Sequence, residues 1–182
     1  FHGPSKVPQL IMLLSCVPFF WSCEPKYTVE VTGSERDRLD TLVTGGLQRT
    51  YSVHLPYDYE ATESPVVIML HEAGASGESV KFRTSFDLDA DAYKMMAVYP
   101  NATSDWAYGC GCTEAEADSV DDVQFLLDMI DELDADYGID RDSVFLVGYS
   151  EGGLMAQKAA CDASDSFAAL ATVAATMSEP VA

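Results

Sequence analysis

Basic residues are scarce in this chain. Its 182 residues include 10 Lys and Arg against 30 Asp and Glu, so the formal net charge is −20. Such a charge opposes binding to nucleic acid, whose phosphates require Lys and Arg, and it opposes adsorption to anionic lipid. Gly and Pro are also few, at 12 and 8, whereas hydrophobic residues make up 48%. This composition excludes a low-complexity or disordered acidic chain, and the length is sufficient for one hydrophobic core.

An uninterrupted apolar run of about 20 residues, the length that spans a bilayer, is also missing. Residues 7–21 are mostly apolar, but two prolines interrupt them and Lys6 precedes them. A short apolar run behind a basic residue is typical of an export signal, so residues 1–22 are predicted to be a signal peptide or lipoprotein leader. The Cys23 that follows could carry a lipid anchor, with Cys16 as the competing position. We therefore expect a secreted or cell-surface protein; the alternative is an uncleaved hydrophobic anchor.

Behind the predicted leader the chain has three cysteines, Cys110, Cys112 and Cys161. An odd number leaves one of them without an intrachain partner in an oxidising compartment. Zinc ligands are usually separated by two to four residues and need further His or Cys nearby, so Cys110-Gly111-Cys112 favours a loop disulfide over a metal site. Aspartates at positions 87, 89 and 91 imitate a calcium loop but lack its Gly and Glu. We therefore predict no metal and no cofactor.

Short apolar segments alternate with helical patterns along the rest of the chain. Residues 23–44 are polar and charged and are interpreted as a linker or an edge segment. Strands alternating with helices at this spacing predict an α/β protein with a doubly wound, mostly parallel sheet. The predicted strands cover residues 47–55, 66–70, 95–99, 144–148 and 168–173, and the predicted helices cover 79–93, about 118–138, and 154–160.

The segment Gly148-Tyr149-Ser150-Glu151-Gly152-Gly153 lies between a predicted buried strand and a predicted helix. This is the context of the G-x-S-x-G nucleophile elbow, in which a strained turn presents a serine hydroxyl above the end of a sheet. Glycines flank the serine because a Cβ there would collide with the neighbouring strand or helix. We therefore predict Ser150 as a nucleophile and the backbone amide of Glu151 as a donor to an oxyanion. The alternative is an ordinary glycine-rich turn.

The loop His71-Glu72-Ala73-Gly74 follows another predicted strand. In hydrolases with a nucleophile elbow the corresponding loop supplies a second oxyanion amide, and we predict that it is the amide of Ala73. His71 is expected to anchor the loop by hydrogen bonds and not to act as a base. Trp106 and Tyr108 follow the end of a further strand, where ligands bind in such sheets. They are predicted to form a substrate wall, with simple loop packing as the alternative.

These motifs resemble the α/β-hydrolases, and among them the secreted polyhydroxybutyrate depolymerase and feruloyl esterase-like group. The resemblance covers roughly residues 45–174. It implies an α/β-hydrolase fold and cleavage of carboxylic esters, with an acylated polysaccharide or a polyester as the substrate. The group usually has Gly after the histidine, where this chain has Glu72. The residues that carry the resemblance are Gly46-Leu47-Gln48-Arg49-Thr50-Tyr51, Leu55-Pro56, Met69-Leu70-His71, Val98-Tyr99-Pro100, Trp106, Val120-Asp121-Asp122-Val123-Gln124-Phe125-Leu126, Gly148 to Ala156, and Ala160-Cys161.

The chain has three histidines, and all of them precede Ser150. In α/β-hydrolases the acid and then the histidine of the triad follow the serine along the chain. Residues 45–182 are therefore expected to be the N-terminal part of a catalytic domain, incomplete at its C-terminus and inactive by itself. One alternative is a non-catalytic surface lipoprotein that binds glycan or a partner on the same scaffold. Another is a peptidase that uses the same Ser150.

Overall fold

The structure is a computed structural model, and it describes residues 36–61 and 63–176. The predicted leader, with the proposed anchor at Cys23, lies outside the described residues. None of the described helices combines the length and the apolar character that crossing a bilayer requires. In chain order the strands are β1 (Asp37–Thr44), β2 (Leu47–His54), β3 (Ser64–Leu70), β4 (Met96–Pro100), β5 (Ile139–Tyr149) and β6 (Ala169–Val173). The helices are α1 (Gly77–Thr84), α2 (Asp87–Tyr93), α3 (Glu114–Ala117), α4 (Asp122–Tyr137) and α5 (Glu151–Asp162), and a single 3₁₀ turn covers Ser164–Ser166.

The strands form a mixed sheet in the order β1-β2-β4-β3-β5-β6. The pairs β1–β2 and β2–β4 are antiparallel, whereas β4, β3, β5 and β6 run parallel to one another. Leu70 pairs with Gly148, so β3 and β5 end at the same edge of the sheet. Ligands bind at this edge in open parallel sheets. The predicted α/β class with a mostly parallel sheet is confirmed.

Helices cover both faces of the sheet. On one face α4 presents an apolar stripe, which includes Leu126, Ile130 and Leu133, to a core shared with α5. These residues recur every three or four positions, which places them on one side of a helix. On the other face α1 and α2 contribute Val80 and Ala90 to a smaller cluster against β3 and β4. The candidate site lies at the strand ends, and packing in these two apolar layers fixes the position of those ends.

Residues 23–44 were interpreted as a linker or an edge segment, and the described residues 37–44 form the edge strand β1, so the edge alternative holds for them. Gly45 and Gly46 both have positive φ, at 56° and 80°, and they join β1 to β2 in a two-residue turn of the kind that closes hairpins. The charged residues of β1 find partners on the neighbouring helices. Asp37 pairs with Lys81 of α1, and Asp40 accepts a hydrogen bond from the Tyr137 hydroxyl of α4.

Two helix boundaries also differ from the prediction. The helix expected over 79–93 is divided into α1 and α2 by Ser85, whose φ of 51° ends α1. The break lets Phe86 pack against the small cluster. The helix expected from about residue 118 begins at Asp122, because the Asp121 carboxylate caps it by accepting from the Gln124 N–H at 2.9 Å. The short α3 lies in a region predicted to be a loop.

Candidate active site

Ser150 occupies a strained turn between β5 and α5. Its φ of 53° and ψ of −118° are unusual for a residue with a side chain. The Ser150 N–H donates to the Val173 carbonyl at 2.8 Å, and the Ser150 carbonyl accepts from the N–H groups of Gly153 and Leu154. The turn is therefore held on one side by β6 and on the other by the first turn of α5. This is the backbone conformation that a nucleophile elbow requires.

The glycines around Ser150 allow three backbone segments to meet. A Cβ on Gly148 would lie 2.1 Å from the Gly152 carbonyl oxygen, and a Cβ on Gly152 would lie 2.4 Å from that of Leu70. Both distances are far below van der Waals contact. The predicted reason for glycine at these positions, the close approach of strand and helix, is therefore confirmed.

His71 anchors the loop that follows β3. It is buried, and burial is the main cause that lowers its pKa, so the ring is neutral near pH 7. Its Nδ1–H donates to the Glu72 carbonyl at 2.8 Å, and its Nε2 accepts from the Ala102 N–H at 3.1 Å. Because both ring nitrogens are occupied, His71 has no free lone pair for a base. The predicted anchoring role of His71 is confirmed.

The Glu72–Ala73 peptide is oriented by this loop. The Glu72 carbonyl accepts from the His71 ring and from the Ala75 N–H at 3.2 Å, and Gly74 has the positive φ typical of a tight turn. In a trans peptide the N–H points opposite to the carbonyl, so the Ala73 N–H faces away from those two partners. Ala73 itself is exposed.

The two amides predicted to bind an oxyanion occupy equivalent positions. Leu70 of β3 pairs with Gly148 of β5. Ala73 lies three residues after Leu70, and Glu151 lies three residues after Gly148. Within the described residues, neither N–H donates to an acceptor. The Glu151 N–H is also one of the unsatisfied donors at the N-terminus of α5, where the helix dipole favours negative charge. Both groups are therefore available to a ligand.

Trp106 is fully buried, so its prediction as a substrate wall is wrong. Its indole Nε1–H donates to the His71 carbonyl at 2.9 Å, and the two rings pack at a centroid distance of 5.0 Å. The indole thus stabilises the His71 loop through a hydrogen bond and a ring contact. Tyr108 is only half-buried; its hydroxyl lies 3.5 Å from the Cys112 Sγ. Burial raises the pKa of Tyr108, and the nearby Glu151 carboxylate adds to the shift.

A buried ion pair near the site was not predicted from the sequence. Arg49 of β2 and Asp122 of α4 are 2.7 Å apart and almost completely buried. The second Asp122 oxygen accepts from the Ala107 N–H at 2.8 Å, and Arg49 also donates to the Asn101 carbonyl. The pair therefore fixes both ends of the loop that contains Trp106. The burial of Arg49 could have been found from its position: it lies two residues before Tyr51, and residues two apart in a strand share a face, here the buried face of β2.

The loop cysteines Cys110 and Cys112 form a disulfide, as the prediction of a loop disulfide required, and Cys161 is free and exposed. In the described part of the chain, one group of side chains has the spacing of a metal site: Asp37, His54 and Asp87. The Lys81 ammonium already lies 2.6 Å from Asp37 and 3.4 Å from Asp87. We interpret the group as an ion-pair cluster that joins β1 to α1 and α2.

Comparison with known proteins adds an independent finding. Residues 49–178 match the family model described as Esterase PHB depolymerase. The chain is 29% identical over 166 residues to NocK of Nocardia uniformis subsp. tsuyamanensis, an esterase by assignment, and the match covers 90% of this chain and 47% of NocK. It is 27% identical over 126 residues to the bifunctional acetylxylan esterase/xylanase XynS20E of Neocallimastix patriciarum, with 69% of this chain and 18% of that protein covered. The chain thus spans about half the length of NocK.

Solved structures share the fold. The acetyl xylan esterase from Aspergillus awamori matches with a TM-score of 0.62 at 17% identity, covering 75% of this chain and 53% of that one. An S-formylglutathione hydrolase from Agrobacterium tumefaciens matches with a TM-score of 0.63 at 13% identity, covering 75% and 56%. At such identities the likeness concerns the fold, and it confirms the α/β-hydrolase architecture expected from the sequence.

Proposed function

Because the chain belongs to the Esterase PHB depolymerase family, we propose that its natural gene product is a serine hydrolase of carboxylic esters with Ser150 as the nucleophile. The observation that carries this proposal is the strained turn of Ser150 at the end of a central parallel strand. A positive φ on serine costs about 1–3 kcal/mol and persists where the surrounding structure enforces it. Such strain is typical of functional sites.

In the proposed reaction the Ser150 Oγ attacks the ester carbonyl carbon while its proton passes to a base. The carbonyl oxygen becomes an oxyanion, which the N–H groups of Glu151 and Ala73 stabilise. Collapse of the tetrahedral intermediate expels the alcohol and leaves an acyl group on Ser150. Water then attacks this acyl-enzyme and releases the carboxylic acid.

The base and its orienting carboxylate are expected outside the described residues. His71 has both ring nitrogens occupied. His54 is buried within the ion-pair cluster, with Nδ1 2.9 Å from Asp37 and Nε2 3.3 Å from Asp91. Neither ring is free to take the Ser150 proton. The triad is therefore proposed to be completed by a histidine and an acid from another part of the natural gene product.

Acylated polysaccharide is the first substrate class to test, and polyester is the second. Support for the first comes from the relative XynS20E, whose name specifies an acetylxylan esterase. Tyr108 is the remaining candidate for contact with substrate, since it is only half-buried and approaches the Glu151 side chain. Action outside the cell, through the export signal proposed for residues 1–22, would bring the enzyme to such polymers.

The test compares wild type, Ser150→Ala and a matched control, Ser164→Ala, in the natural gene product with p-nitrophenyl acetate. Ser164 is an exposed serine in the 3₁₀ turn. We expect Ser150→Ala to lower kcat by at least about a thousandfold, whereas Ser164→Ala keeps it. Retained hydrolysis in Ser150→Ala would exclude the proposed nucleophile. Absence of hydrolysis in wild type would favour the glycan-binding alternative. Acetylated xylan, methyl ferulate, polyhydroxybutyrate and a peptide amide then separate the substrate classes.

A further inference from the structure

Glu72, the residue after His71, forms an ion pair with Arg83 of α1. Glu72 lies in the loop between His71 and the candidate oxyanion donor Ala73. Its side chain is largely buried, and its Oε2 has no hydrogen-bond partner within the described residues. Burial alone would raise the Glu72 pKa, but hydrogen bonds from its own backbone and from Arg83 lower it overall. The carboxylate is therefore charged at neutral pH.

Arg83 also reaches the nucleophile turn. Its guanidinium lies over the Tyr149 ring, with the Cζ atom 5.8 Å from the ring centroid. Tyr149 directly precedes Ser150, and the Tyr149 side chain is partly exposed. A guanidinium within about 6 Å of an aromatic face is attracted to it. One side chain thus contacts both loops that carry candidate oxyanion amides.

The helix that carries Arg83 is fixed at its other end. The Gly77 N–H donates to the Asn101 side chain at 2.8 Å, and Gly77 packs so closely on Tyr99 that a Cβ would lie 2.3 Å from the Tyr99 carbonyl oxygen. Ser76 caps the helix. Further along α1, Val80 and Arg83 line an apolar cavity of about 140 Å³ that extends to Gly148 and Tyr149. The helix is therefore fixed against β3 and β4, with Arg83 near its C-terminal end.

We propose that Arg83 is a positioning residue for the oxyanion hole. By holding the Glu72 carboxylate and the Tyr149 ring at once, it sets the separation between the Ala73 and Glu151 amides. This inference rests on the proposed esterase function. Arg83 contacts no reacting atom, so its loss should weaken binding of the transition state and leave binding of the ester ground state intact.

The test measures kcat and KM of the natural gene product with p-nitrophenyl acetate for Arg83→Ala, Glu72→Gln and the double variant. Removal of one oxyanion donor lowers kcat by about 10²–10³. Misplacement of a donor should cost less, so we expect each single variant to lower kcat about tenfold with KM changed less than about twofold. The double variant should be no worse than Arg83→Ala, because Glu72 acts through its contact with Arg83 and that contact is already lost. Arg83→Lys should recover part of the loss.

Arg141→Ala is the matched control, since Arg141 is a half-exposed arginine paired with Asp131 and Asp134. It should leave kcat unchanged. Glu72→Gln keeps the shape of the side chain, so it remains informative if Arg83→Ala does not fold. Wild-type kcat in both single variants, or a change in KM alone, would overturn the positioning role while Ser150-dependent hydrolysis leaves the proposed function standing. If wild type has no Ser150-dependent hydrolysis, both proposals are overturned.

Discussion

Substitution of Gly152 by Ala is the most direct perturbation of the elbow. Its Cβ would lie 2.4 Å from the Leu70 carbonyl oxygen and 2.5 Å from that of His71. Carbon–oxygen contacts below 3.0 Å are essentially never seen, so α5 and the end of β3 would have to separate by about 0.6 Å or more. Both colliding atoms belong to the main chain and cannot rotate away as a flexible side chain would.

The cost follows from this geometry. Overpacking of a tight core costs about 1–3 kcal/mol, and the upper end applies when backbone must move. We therefore expect Gly152→Ala to lower the free energy of unfolding by about 3 kcal/mol. Gly153→Ala is the comparison: its Cβ would lie 2.5 Å from the Ala175 Cβ and 3.1 Å from the Gly148 carbonyl oxygen. The Ala175 Cβ cannot rotate away either, but Ala175 belongs to the segment after the edge strand β6, so relief moves that segment and not a helix against a central strand. We expect a loss of about 1 kcal/mol there.

Equilibrium unfolding in urea, followed by circular dichroism, measures both variants. With a urea m-value of about 2 kcal/mol/M, the midpoint should fall by about 1.5 M for Gly152→Ala and about 0.5 M for Gly153→Ala. The Gly152 variant should also lose Ser150-dependent hydrolysis, because the elbow is displaced. Equal midpoints in the two variants, or a Gly152→Ala midpoint within about 0.3 M of wild type, would refute the close approach of α5 to β3.

Three other outcomes are expected. Trp106→Phe should lower the free energy of unfolding by about 1–2 kcal/mol through loss of one buried hydrogen bond, with KM unchanged; a large rise in KM would instead restore the substrate wall. Asp122→Ala should cost about 3–5 kcal/mol in urea unfolding, because Arg49 is left buried without its counter-charge, and a loss below about 1 kcal/mol would contradict that burial. Iodoacetamide applied to the native protein should alkylate Cys161, whereas Cys110 and Cys112 should react only after their disulfide is reduced, as judged by peptide mass spectrometry. A non-reduced digest with Cys161 linked to either loop cysteine would contradict the pairing.

The elbow could be predicted from sequence because its determinants are local. Gly148, Ser150 and Gly152 lie within five residues, at a change from strand to helix, and their required conformations follow from covalent geometry. His71 is a similar case, since its partner on one side is the carbonyl of the next residue. Where the constraint lies within a few residues, pattern and physics agree.

Features that depend on distant contacts could not be predicted in this way. The burial of Trp106 follows from a hydrogen bond to a carbonyl 35 residues earlier in the chain. The sequence of β1 is polar, and its Asp37 and Asp40 are accommodated in a strand because Lys81 and Tyr137 on two different helices bind them. Neither match has a signature in local periodicity, so the charge of this segment left a linker and an edge segment as equal interpretations.

Covalent labelling is a direct test of Ser150 as the nucleophile. The natural gene product is incubated with a fluorophosphonate ester, digested and sequenced by mass spectrometry, with the heat-denatured protein as control. We expect one adduct, on Ser150, that is absent from the denatured control and from Ser150→Ala. An adduct on another serine of the folded protein, or none at all, would contradict it.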